Sequence, residues 1–149
     1  MTGAESLIRA AWAHGLLAAD EAITSHSCLE CDELAEYFGG TTWAEHTDVN
    51  ALREHAAALS LFTSSAFCHF LPAFLLASLA DPAGADIIVD NVCFAFTPSP
   101  EFETRALERL RVLTPAQREA LGEWFNELLS RGLFDRAEVE SAKQFLGRT

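Results

Sequence analysis

The stretch TSSAFCHFLPAFLLASLADP, residues 63–82, decides the fold. Between Ala66 and Leu79 it carries Phe67, Phe70, Leu71, Phe74, Leu75, Leu76 and Leu79, which fall on nearly every side of a helical wheel. A helix that is apolar all round has to be enclosed by other elements. Its most hydrophobic part, Phe70 to Ala80, is about half the roughly 20 residues a bilayer span needs, so it reads as a buried central helix. Thr63 or Ser64 can cap its start, and Asp81-Pro82 ends it. Pro72 has no N–H to donate to the carbonyl of Cys68, which predicts a kink or a split near residue 71.

On the N-terminal side, Leu7, Ile8, Ala11, Trp12, Gly15 and Leu16 recur at helical spacing, predicting a helix from about Ala4 to Ala19. Ser27-Cys28-Leu29-Glu30 reads as a capping box, and the helix it opens continues through Leu34, Ala35 and Phe38 to stop at Gly39-Gly40. Asp48 caps a helix with the stripe Val49, Leu52, Ala56 and Leu59. On the C-terminal side, residues 87–96 have strand-like propensity but no alternation and no partner strand, so they read as a short buried helix. A helix from Glu103 to about Arg111 follows. Thr114-Pro115-Ala116-Gln117 then combines an N-cap, an N1 proline and a capping glutamine. That helix buries Leu121, Trp124, Phe125, Leu128 and Leu129 and ends at Gly132. Asp135 opens the last helix, which turns Val139, Ala142 and Leu146 inward. The whole reads as an all-α bundle of about six to seven helices in a single domain over residues 1–149, with a kinked central helix at Pro72.

Half the residues are apolar and 21% are charged, a globular composition. The formal charge of −12 repels nucleic-acid phosphates and anionic membranes. It implies neither as a partner, while the acidic face of Glu30, Asp32, Glu33 and Glu36 would suit a basic protein. Without a basic n-region, and with Arg9 and His14 among the apolar residues, the N-terminus reads as lacking a secretory leader. Four unevenly spaced cysteines then read as reduced thiols of a cytoplasmic protein.

Cys28-x-x-Cys31-x-Glu33-Leu34, Thr42-Trp43, LFTSSAFCHFLPAFLLASL at 61–79 and LTPAQREAL at 113–121 together resemble a bacterial family of domains of unknown function, over roughly residues 28 to 130. The resemblance implies no activity, substrate or catalytic residue. In that family the positions of Cys68 and His69 more often carry arginine or an aromatic, so it implies no shared site there.

Cys28 and Cys31 would occupy about N1 and N4 of the helix behind Ser27, on one face. His26 completes His26-x-Cys28-x-x-Cys31. Three readings stand. Two thiolates and an imidazole can bind zinc, with a fourth ligand from water or from His46, His55, Cys68, His69 or Cys93, of which Cys68 and His69 are the foremost candidates. The pair can instead cycle between dithiol and disulfide, although Glu30, Asp32 and Glu33 would raise the thiol pKa. It can also be two small apolar residues beside a cap. Glu45-His46 with Asp48 holds the ingredients of acid–base chemistry. Cys68-His69 sits beside the carbonyl freed by Pro72, and Cys93 reads as core. A phosphate loop, a His-Glu-x-x-His pair, a nucleophile elbow and a basic patch are all missing from the sequence. The reading is therefore a binding or interaction protein of accessory or immunity type, with no organic cofactor. The alternative is a zinc-binding protein or small metal-dependent enzyme at the His-x-Cys-x-x-Cys site.

Overall fold

The computed structural model describes residues 3–13, 21–97 and 99–147. Among them run nine α-helices: α1 Gly3–Ala11, α2 Leu29–Phe38, α3 Val49–Glu54, α4 Ala58–Leu61, α5 Ser64–Ala80, α6 Asp86–Ala95, α7 Glu103–Val112, α8 Pro115–Arg131 and α9 Arg136–Leu146. A 3-10 turn covers Trp43–Glu45. No strand forms among the described residues, only an isolated bridge between Thr24 and Phe62. The all-α expectation holds, and the stretch 87–96 forms α6 up to Ala95, with Phe96 as its C-cap.

Helix α5 is the axis. Twelve of its seventeen residues are buried, and α1, α3, α6, α7 and the 3-10 turn all pack on it. Helix α1 also packs along α8, and α9 closes over α8 and α6. Rings dominate the interior: Phe38, Phe62 and Phe70 meet with centroids 4.9–5.6 Å apart. Each such ring stabilises by about 1.5–3 kcal/mol on burial.

Four caps form where the sequence places them. Thr63 Oγ1 accepts from the Ala66 amide, Asp48 from Asn50 and Asp135 from Glu138. Thr114 and Gln117 make a reciprocal box. Gly132 ends α8 at φ 65°, in the left-handed region that favours glycine.

Other expectations need correction. Of the kink or split expected at Pro72, the split does not occur: the central helix is continuous from Ser64 to Ala80. The carbonyl it frees, that of Cys68, accepts from the indole Nε1 of Trp12 at 2.7 Å. A side chain from α1's end thus replaces the missing backbone donor. The helix at 49–59 is two pieces, α3 and α4, with His55 as the C-cap of the first. That break adds one helix, and the described residues hold nine against the six to seven expected. Helix α1 ends at Ala11, and Leu7 on its predicted apolar face is exposed; Gly15 and Leu16 lie outside the described residues.

Candidate functional site

The segment before α2 is tied to the α4–α5 corner by backbone bonds, Ser25 N–H to the Leu61 carbonyl at 3.3 Å and Thr63 N–H to the Ile23 carbonyl at 3.0 Å. The Thr63 hydroxyl adds a bond to the Ala22 carbonyl at 2.8 Å. These bonds hold His26 in front of the helix. The cap is Cys28, not Ser27. Cys28 is extended, at φ −161° and ψ 166°, and its Sγ accepts from the Cys31 amide at 3.0 Å. A sulfur one residue further along thus does what the hydroxyl was expected to do. Cys28 becomes N-cap and Cys31 N3 rather than N1 and N4.

The two Cα atoms lie 4.9 Å apart, and the sulfurs are joined as a disulfide where reduced thiols were expected; only Cys68 and Cys93 are free among the described residues. Cys31 is fully enclosed and Cys28 half-buried, while His26 is exposed. One ligand atom from each of His26, Cys28 and Cys31 falls within 4.8 Å of the other two. Among the described residues no other group of three His, Cys, Asp or Glu side chains comes together in this way. The Ser25 hydroxyl meets His26 Nδ1 at 3.2 Å, the kind of outer contact that orients an imidazole.

The structure does not bring the suggested fourth ligands to this group. The Cys68 thiol lies against the Gln117 side-chain carbonyl at 3.3 Å, and burial raises it to about 11. Cys93 is core, its thiol pushed up to about 12 by burial, with Glu138 and Asp90 adding to the shift. Neither is poised as a thiolate.

His46 and His69 belong to a second cluster, around Phe70. The His46 ring lies 4.8 Å from Phe38 and 5.8 Å from Phe70, and His69 meets Phe70 edge-on at 4.6 Å. Thr41 uses its single hydroxyl hydrogen on the Phe38 carbonyl at 2.6 Å, so His46 Nε2, 2.7 Å from Thr41 Oγ1, carries a hydrogen and donates to it. His69 Nε2 is buried without a partner. The carboxylates beside His46 are committed to caps: Glu45 accepts from the Thr42 amide and Asp48 from that of Asn50. No acid–base pair is assembled there. Tyr37, whose ring lies 4.3 Å from that of His55, was not singled out by the sequence. Its only signal was its place beside Phe38 at the end of α2.

Burial lowers the pKa of both His46 and His69. At His46 Glu45 opposes the shift and His55 adds to it, and at His69 His46 adds to it. Unfolded, each ring takes up its proton near pH 6.5. The unfolded chain therefore binds more protons between that pH and the lowered folded values, and stability falls as pH drops through this window. Denaturant midpoints should decline from pH 7 to pH 5, and His69→Leu should flatten the decline. An unchanged slope in that variant would mean that His69 is not held neutral.

Residues 19–132 match a family of unknown function, DUF6714, and the chain belongs to that family. No curated protein and no solved structure matches the chain.

Proposed function

We propose that this is a binding protein of a reducing compartment such as the cytoplasm, and that its reduced His26–Cys28–Cys31 group holds a zinc ion. The observation that carries this reading is the convergence of three ligand atoms within 4.8 Å on one tethered helix start. Around a tetrahedral zinc, sulfur and nitrogen ligands stand about 3.3–3.8 Å apart. Opening the sulfurs on reduction and turning the exposed His26 ring would meet that spacing. The capped helix start favours thiolates. Glu30, Asp32 and Glu33 disfavour free thiolates but favour a bound cation. Three protein ligands leave the fourth position to water or to a partner's side chain.

Chelator-free protein prepared with reductant should contain about one zinc per chain. Cys28→Ser and Cys31→Ser should abolish this, and His26→Ala should weaken it. A wild-type protein that takes up no zinc on dialysis against the metal would end the proposal.

The joined sulfurs favour a second reading, in which the pair cycles between disulfide and dithiol with two electrons and two protons. That site would equilibrate with glutathione buffers in the absence of metal, and His26→Ala would leave the half-reduced point nearly unchanged.

A further inference from the structure

Arg105 and Arg109, one turn apart, point from the same side of α7. Together with Phe94, Ala95, Phe102 and Ala106 they line a pocket of about 320 Å³, at the lower end of the range for small-ligand sites. Phe94 is 56% exposed and Phe102 51%, with ring centroids 6.5 Å apart, so they form an open aromatic wall. Arg109 is only 6% exposed. One of its amino groups donates to the Leu59 carbonyl at 3.2 Å, and its guanidinium lies 5.0 Å over the Phe67 ring. Its Nε–H is buried with no acceptor. Arg105 donates to the Phe62 carbonyl at 3.0 Å.

All four ion pairs among the described residues use other arginines. A buried guanidinium without a carboxylate is costly, and this chain has acids to spare. Burial, then Arg105, lowers the pKa of Arg109 to about 10, with Glu108 opposing; it remains a cation at neutral pH. Glu101 and Glu108 line the adjoining cleft with Arg105 but not this pocket. The pocket therefore combines two cations and an apolar wall.

We infer that it binds a small carboxylate with an apolar body, an alkyl or aryl carboxylic acid, held by Arg105 and Arg109 at the charged end and by Phe94 and Phe102 along the body. A guanidinium matches the planar carboxylate with parallel hydrogen bonds. A phosphate would turn hydrated oxygens onto the aromatic wall, so the carboxylate is the better fit. This site does not depend on the thiol group.

The test titrates the full chain with 1-naphthylacetate and with the neutral 2-(1-naphthyl)ethanol, by calorimetry and by amide shifts over residues 94–109. The acid should bind with a dissociation constant on the order of 100 µM. The alcohol should bind at least about tenfold more weakly, because it forfeits a charge-assisted bond. Arg105→Met should cost the acid about tenfold and leave the alcohol unchanged, and Phe102→Ala should weaken both. These half-exposed positions keep the test independent of Arg109, whose replacement disturbs the core. Equal binding of acid and alcohol, no binding of the acid at millimolar concentration, or an unchanged affinity in Arg105→Met would each overturn the inference.

Discussion

Trp124→Ala should destabilise the protein by about 3–5 kcal/mol, a large part of a total that for such domains is about 5–15 kcal/mol. The ring is fully buried on α8, against Phe125 at 5.2 Å. Its loss leaves a cavity beside the central helix and also breaks a polar network. The Ser78 hydroxyl donates to the Leu75 carbonyl at 2.7 Å. Ser78 Oγ and the Leu75 carbonyl in turn lie 2.9 and 3.1 Å from Trp124 Nε1, which donates to them. Trp124→Phe keeps most of the packing and removes only that donor, so it should cost less, about 1–3 kcal/mol. Guanidinium unfolding followed by far-ultraviolet circular dichroism gives both values. An alanine variant within about 1 kcal/mol of wild type would show that α8 does not lock onto α5 in this way.

Trp12→Phe is expected to cost about 1–3 kcal/mol for a reason that lies four residues beyond its partner. The Cys68 carbonyl has no backbone donor because residue 72 is proline, and Trp12 supplies one at 2.7 Å. The Trp12 carbonyl in turn accepts from Trp43 Nε1 at 3.1 Å, so two indoles link the 3-10 turn, the end of α1 and α5. Pro72→Ala restores an N–H that can reach the Cys68 carbonyl. The cost of Trp12→Phe should therefore shrink by about 1 kcal/mol in the Pro72→Ala background. The packing loss is common to both backgrounds and cancels in the cycle. Strict additivity of the two substitutions would mean that the indole is not the substitute donor.

How much of the molecule was legible beforehand follows from the range of the forces involved. The caps at Asp48, Thr63, Thr114 and Asp135 are contacts within three residues, and they read directly from the chain. The exception at α2 is also local: a cysteine took the role assigned to the serine before it, because an extended Cys28 can present sulfur to the Cys31 amide. The thiol pair and His26 were legible as a group because only a few residues separate them. Cys68 and His69 could not be placed, since that required knowing which elements pack on α5. Cys68 faces Gln117 and His69 lies near His46 and Phe70, away from the cysteine pair.

By itself the sequence determined an all-α chain around an apolar axis at residues 64–80, because hydrophobic period and capping chemistry act over one or two turns. Only the tertiary structure decided that Pro72 leaves this axis continuous, because the compensating donor comes from Trp12, 56 residues away. It alone decided which titratable side chains meet, and it placed two arginines that join none of the ion pairs among the described residues beside exposed aromatics. Those outcomes depend on helix packing, and no short-range pattern encodes which faces come together.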